Sequence, residues 1–257
     1  MCELFGFSSR KRCDIGNYLK EFYSHSKEHP NGWGLACIRD GNVNIEKEPK
    51  EAQKSCYLKE RLSVPVKESV VLAHIRYATI GNVEYKNCHP YVRQDDSKRT
   101  WTLIHNGTIF DFPLLTPYIE FQEGNTDSER ILMFLVDQIN YHTKVKNRDL
   151  TERERFDIID LVFRRMAKGN KLNLIIYDGD VMYVHTNYKN SLYYLDMKDG
   201  VLFSTRPLDE NEWKPVLFTR LLAYRRGRQI MEGTSHNQEY IEREEDVKHL
   251  YQIYSAL

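Results

Sequence analysis

Four turn signals built on glycine divide this chain into pairs of short apolar runs. Asp40-Gly41-Asn42 splits WGLACIRDGNVNIEKE, Asp178-Gly179-Asp180 splits LNLIIYDGDVMYVHTN, Lys198-Asp199-Gly200 splits SLYYLDMKDGVLFST, and Gly227 splits LLAYRRGRQIMEG. Turns this tight join antiparallel strands, because a parallel return needs a crossover of roughly a dozen residues or more. Three further runs read as strands. CELFGFSS is a short one at the start, SVVLAHIRYAT is apolar on both faces as a strand between layers must be, and TWTLIHNGTIF ends in Asn106-Gly107.

The helical segments do not alternate with these strands. Asp14 is placed to cap a helix running to about Lys27, which HPNG stops, and KEAQKSCYLKERL reads as a short helix. Residues 127–142 and 151–168 read as two longer helices, and the tail from Asn237 reads as helical. Strands in hairpins with helices in groups predict an α+β fold with antiparallel sheets, not a doubly wound parallel one. No repeat, low-complexity tract or Pro/Gly-rich linker interrupts the chain, which predicts a single domain over residues 1–257.

Charge and cysteine usage exclude several function classes. Lys plus Arg total 37 against 37 Asp plus Glu, so there is no electrostatic footprint for nucleic acid or an acidic membrane surface. No apolar run reaches the roughly 18 residues of a membrane span, and the first stretch turns charged by residue 10, with no secretion signal. The cysteines, Cys2, Cys13, Cys37, Cys56 and Cys88, are odd in number and widely spaced, which predicts reduced thiols in a cytoplasmic protein. No glycine-rich phosphate loop is present, and no cofactor is expected.

The chemistry-bearing residues begin at position 2. A small residue behind Met1 permits removal of the methionine, and Cys2 then carries a free α-amine beside its thiol. The amine, with a reference pKa of roughly 7.7–8.0, is matched to take the proton of a thiol near 8.5. The plainer alternative is a small buried residue at a strand start. Arg76, near the end of the buried strand AHIRYAT, needs an acceptor; a ligand carboxylate fits its planar fork, and so does an internal acidic partner. Asn106-Gly107 reads as a tight turn, and the same pair can aim a side-chain amide and a backbone N–H at one oxyanion. In NTDSE, Thr126 and Glu129 spell a capping box, and Asp127 falls in the first helical turn, where an ionised carboxylate could take an ammonium. Nucleophile, oxyanion donors, carboxylate site and ammonium site together describe glutamine or another γ-glutamyl amide as substrate.

MCELFGF, NGWG at 31–34, AHIRYAT at 73–79, CHPY at 88–91, HNG at 105–107 and TDSE at 126–129 stand in one order in the chain. In that order they resemble the class II glutamine amidotransferases of the N-terminal nucleophile hydrolase superfamily, in the variant of the stand-alone YafJ-type proteins. The motifs lie within residues 2–129, and STRPL and EWKPV later in the chain are similar too. The resemblance implies a four-layer αββα sandwich of two stacked antiparallel sheets with helices outside. It implies that Cys2 attacks the side-chain amide of glutamine, that ammonia leaves from a γ-glutamyl thioester, and that water hydrolyses the thioester. Tyr77 and Ile80 stand where many members have Trp and His, so the carboxylate pocket carries over only at Arg76 and Thr79. No ammonia-consuming domain is recognised, which makes an ammonia-accepting partner protein an expectation and leaves the acceptor unknown. Two other functions remain: a hydrolase of larger γ-glutamyl conjugates with the same nucleophile, and a non-catalytic binding or regulatory module.

Glu3, Trp33, Tyr77, His74, His89 and His105 flank these motifs as candidate pocket residues. Glu3 either salt-bridges within the site or faces solvent, and Trp33 is a pocket wall or a core aromatic. The three histidines lack a metal-ligand spacing and read as hydrogen-bonded core or rim residues, so no metal site is expected. Cys13, Cys37 and Cys56 read as packing residues.

Overall fold

The computed structural model describes residues 2–246 and residue 248. Its strands form two antiparallel sheets. The first has the order β11-β9-β10-β1-β4-β2-β3 and the second β13-β12-β8-β7-β6-β5. In chain order they are β1 (Glu3–Asp14), β2 (Trp33–Arg39), β3 (Asn42–Glu48), β4 (Lys67–Ile75), β5 (Tyr91–Gln94), β6 (Thr100–Thr108) and β7 (Lys171–Tyr177). They continue with β8 (Met182–His185), β9 (Tyr193–Met197), β10 (Gly200–Ser204), β11 (Lys214–Pro215), β12 (Leu221–Arg225) and β13 (Arg228–Glu232). All four hairpins predicted from glycine turns form, as β2–β3, β7–β8, β9–β10 and β12–β13.

Three apolar clusters fill the three spaces between four layers. Phe5, Phe7, Val71 and Ala73 of the first sheet pack against Leu19 and Phe22 of α1 (Gly16–Ser24) and Leu58 and Leu62 of α2 (Cys56–Ser63). Leu103, Leu172 and Leu174 of the second sheet pack against Ile131 and Leu135 of α3 (Asp127–Lys146) and Ile159 and Phe163 of α4 (Glu152–Met166). Between the sheets lie Leu4, Leu72, Ile104, Ile175 and Phe203. Successive side chains on a strand point to opposite faces, so alternate residues of β1, β4, β6 and β7 fall into different clusters. This is the expected αββα sandwich.

Several local expectations change. The first strand is not short; it runs to Asp14, with its register against β4 shifting between Ser8 and Cys13. The helix after it starts at Gly16, whose N–H donates to Asp14 Oδ1 at 3.0 Å, and ends at Ser24, followed by a 3-10 turn over His25–Lys27. KEAQKSCYLKERL is broken, because Ser55 caps α2 by accepting from Leu58 N–H and leaves Ala52–Lys54 as a separate 3-10 turn. The tail is not helical from Asn237: residues 237–243 have no regular structure, residues 244–246 are helical, and most of the remainder lies outside the described residues. Asn106-Gly107 is not a turn. Both residues lie within β6, opposite Asn173 and Leu172 of β7.

Candidate active site

The space between the sheets is apolar along most of its length and becomes polar at one end. The alternation that places Leu4, Leu72, Ile104 and Ile175 between the sheets also directs Cys2, His74, Asn106, Asn173 and Lys171 to the same side of their strands. The thiol of Cys2 donates to Tyr77 O at 3.3 Å, and its sulfur accepts from Tyr77 N–H at 3.4 Å. Burial raises the thiol, while the Tyr77 backbone bond and the charges of Arg76 and Lys171 pull it back down. From β4, His74 Nε2 donates across to the carbonyl of His105 at 3.1 Å, so one imidazole ties the Cys2 sheet to the residue before Asn106.

The motifs interlock around this end. Asn31 donates its N–H to Arg76 O and accepts from Ala78 N–H, each at 3.0 Å, which fastens NGWG to the segment under Cys2. A Cβ on Gly34 would lie 1.8 Å from the His89 carbonyl oxygen, so glycine admits the CHPY segment. Asn125 Oδ1 accepts from Asn82 N–H and Asn87 Nδ2, joining the loop before α3 to the loop after β4. Gly107 is required for the same kind of reason. A Cβ there would lie 2.0 Å from Lys171 O and 2.4 Å from His105 Nε2.

Arg76 is buried, and its partners are not acidic. Nη1 donates to Asn82 O at 2.8 Å, and Nη2 to Ile80 O and Gly81 O at 2.8 and 2.9 Å, so the guanidinium organises the loop that carries Thr79. Thr79 is half-buried and Tyr77 exposes its ring. Asp127 is buried at the first turn of α3. Its Oδ2 accepts from Ile109 N–H and its Oδ1 from Ser128 N–H, both at 2.8 Å, tying the end of β6 to the helix. Thr126 caps α3 by accepting from Glu129 N–H, but only half the expected capping box exists, because the Glu129 carboxylate turns to the N–H groups of Glu123 and Gly124. The complete box is Thr151 with Glu154 on α4.

Two candidates sit on the other face of the first sheet. Trp33 is a core aromatic, fully buried in the outer cluster, with its indole N–H on Glu48. Glu3 neighbours Cys2 but points away from it. It is fully buried, accepting from His25 Nδ1 at 2.9 Å and His29 Nε2 at 3.0 Å and paired with Arg206. Its carboxyl is held down at about 2: burial pushes it up, and the two imidazoles and Arg206 more than offset that. Glu3, Glu28 and His29 present ligand atoms within 4.8 Å of one another, and the Arg206 guanidinium, paired with both carboxylates, already supplies the positive charge there. His74, His89 and His105 are buried, and burial lowers all three, His74 to about 3. The expectation of hydrogen-bonded histidines holds for His105, whose Nδ1 accepts from Ser128 Oγ, and for one nitrogen of His74; neither ring nitrogen of His89 has a hydrogen-bond partner among the described residues. Cys13 is half-buried and Cys37 buried, but Cys56 is exposed rather than packed into a core. Among the described residues, no helix is long and apolar enough to cross a membrane.

Sequence reasoning missed Lys171 and Asn173. Both come from a strand remote in sequence from every motif, and only the pairing of β7 with β6 brings them beside Asn106.

Comparison with known proteins agrees with this geometry. A family model described as glutamine amidotransferases class-II matches residues 1–198. A Methanocaldococcus jannaschii protein, MJ1515, is 28% identical over 90% of this chain and 71% of its own length. The Escherichia coli (strain K12) protein named "Putative glutamine amidotransferase YafJ" is 31% identical over 54% of this chain and 55% of its own length. A crystal structure titled as a predicted glutamine amidotransferase from Pseudomonas aeruginosa PA01 superposes with a TM-score of 0.64 at 20% identity. It covers 90% of this chain and all of the other, a likeness of fold.

Proposed function

Because the chain belongs to the class II glutamine amidotransferases, we propose that it hydrolyses the side-chain amide of glutamine with Cys2 as nucleophile. The observation that carries this reading is the seat of Cys2: its sulfur lies against the Tyr77 backbone, at the polar end of the inter-sheet space that Asn106 also faces. In the proposed reaction Met1 has been removed. The α-amine of Cys2 takes the thiol proton, and the sulfur forms a bond to the amide carbon. The Asn106 side-chain amide and the Gly107 N–H donate to the oxyanion, where donors placed in advance act most strongly. The amine returns its proton to the leaving nitrogen, ammonia departs, and water cleaves the γ-glutamyl thioester. Arg76 and Thr79 take the substrate carboxylate and Asp127 its ammonium. The loop carbonyls that now hold Arg76 leave its Nε–H and part of Nη1 for that contact.

The test is ammonia release from glutamine beside product release from a panel of γ-glutamyl amides, with wild type and Cys2→Ala. Hydrolysis lost in Cys2→Ala supports the reading. A conjugate turned over far faster than glutamine would reassign the leaving amine while keeping the nucleophile. Full activity in Cys2→Ala, or in protein that retains Met1, would remove the mechanism.

A further inference from the structure

A chain terminus frays unless something ties it down. With Met1 removed, the proposed nucleophile is itself the terminus, one residue before β1 begins at Glu3. On one side the ladder with β4 reaches Glu3, paired with Ile75, but on the other the ladder with β10 stops at Phe5 and Ser204. Beyond that pair, the next two residues of the chain continue the connection. Leu4 N–H donates to Thr205 Oγ1 at 2.8 Å, Thr205 N–H donates to Leu4 O at 3.1 Å, and Arg206 Nη2 pairs with Glu3 Oε1. Thr205 and Arg206 belong to STRPL, a motif to which the proposed reaction gives no role.

The Glu3 carboxylate is enclosed from a second direction. His25 Nδ1 and His29 Nε2 donate to it at 2.9 and 3.0 Å from the turn after α1, and Glu28 holds Arg206 at 2.9 Å. His29 stands two residues before Asn31, whose bonds to Arg76 and Ala78 fasten the segment under Cys2. A carboxylate only 1% exposed has lost its water, and a full set of partners is needed to offset that loss. Here the partners come from two segments remote from each other in the chain, and they close on the residue next to the nucleophile.

We propose that Glu3 is a positioning residue for Cys2: clamped by Arg206, His25 and His29, it fixes the chain terminus so that the sulfur and the α-amine stay aimed at the amide. The inference rests on the reading of Cys2 as the nucleophile. Glu3 points to the opposite face of the sheet, so it acts on Cys2 through the backbone. The Tyr77 backbone meets the sulfur from the β4 side, and the clamp holds the adjoining residue from the β10 side and from the outer face. The groups proposed to take the two ends of glutamine, Arg76 and Asp127, lie on other segments. Loosening the clamp should therefore slow the chemical step more than it weakens binding, since a misplacement of about 1 Å can cost about 10²-fold in rate.

The test is turnover by Glu3→Gln at neutral pH, under conditions where circular dichroism shows the variant folded. It is read as ammonia release from glutamine, or as product release from the γ-glutamyl amide that wild type turns over fastest. Hydrogen exchange of the peptide covering residues 2–8 is read beside it. Arg155→Met is the control, because it breaks the buried ion pair with Asp178, at the other end of β7, and lowers stability without touching the terminus. Glu3→Gln is expected to lose about tenfold or more in kcat with KM within about twofold of wild type. Its residues 2–8 should exchange faster than those of Arg155→Met, which keeps the wild-type kcat. Arg206→Lys, which can still pair with Glu3, should keep a kcat that Arg206→Met loses. A folded Glu3→Gln protein with the kcat or the 2–8 exchange of Arg155→Met overturns the proposal. Should Glu3→Gln fail to fold, Arg206→Met decides: a kcat about threefold lower or more supports the clamp, and an unchanged kcat overturns it. Activity that survives Cys2→Ala is a different failure, since it removes the nucleophile and not the clamp alone.

Discussion

Asn106 stands directly opposite Asn173 in the ladder between β6 and β7, so the Asn-Gly pair continues a strand instead of turning the chain. Gly107 is there because the Lys171 carbonyl and the His105 ring leave no room for a Cβ. That pairing separates shape from chemistry at Asn106, and the first prediction uses it. Asn106→Asp keeps the size of the side chain but places an acceptor where the proposed reaction develops negative charge. Both Asn106→Asp and Asn106→Ala should remain folded by thermal melting, and kcat should fall about 10²–10³-fold for each, with KM changing less. An active Asn106→Asp enzyme would remove the oxyanion role.

Gly107→Ala and Gly34→Ala test close approach. Each added methyl would meet a backbone carbonyl oxygen at 2.0 or 1.8 Å, and backbone cannot swing aside as a side chain does. Each variant should lose about 1–3 kcal/mol or more in urea denaturation. Gly41→Ala, with nothing within 4 Å of its Cβ but a φ of +81°, should lose only about 1 kcal/mol. Equal losses at all three positions would contradict the packing argument.

Substituting Arg76→Lys keeps the charge but loses the fork that spans three carbonyls. The expected result is a KM for glutamine raised roughly tenfold or more, with proteolytic cutting appearing first in the 77–85 loop. Wild-type KM together with wild-type resistance would dissociate Arg76 from both roles.

Glu3 predicts acid behaviour. Its folded carboxyl sits at about 2, against an ordinary value of 4.5. The stabilisation is therefore complete above about pH 4.5 and lost as pH falls towards about 2, amounting to roughly 3–3.5 kcal/mol at neutrality. Glu3→Gln leaves His25, His29 and Arg206 facing one another without an anion, and should be destabilised by about that amount at pH 7. The gap between variant and wild type should narrow through the window from pH 4.5 to 2 in urea titrations. A gap independent of pH would mean that Glu3 acts through packing alone.

Thiol reactivity should be confined. Burial pushes Cys37 and Cys88 up to about 11, so both should resist a glutamine-like electrophile at pH 7.5. Labelling is expected at Cys2 and not at exposed Cys56, because the reagent needs the site as well as a thiol. Comparable labelling of Cys56, read by peptide mass, would show that no binding site directs it.

The sequence by itself determined whatever depends on near neighbours. Glycine turns set the four hairpins, apolar alternation set which strand faces are covered, and six short motifs in order marked the polar end of the inter-sheet space and the family. Local patterns also misled where two outcomes share one signature. Asn-Gly serves a turn or an extended strand under a crowding carbonyl, and Thr126 with Glu129 serves a full capping box or half of one. Only the tertiary structure decided these, because the deciding atoms come from elsewhere: the Lys171 carbonyl for Gly107, and the N–H groups of Glu123 and Gly124 for Glu129. The same holds for charge. Nothing near Lys171 in the chain marks it, and Glu3 meets Arg206 from 203 positions away. A buried charge is set by what surrounds it in space, and in a stacked pair of sheets those surroundings are assembled from strands that the sequence keeps far apart.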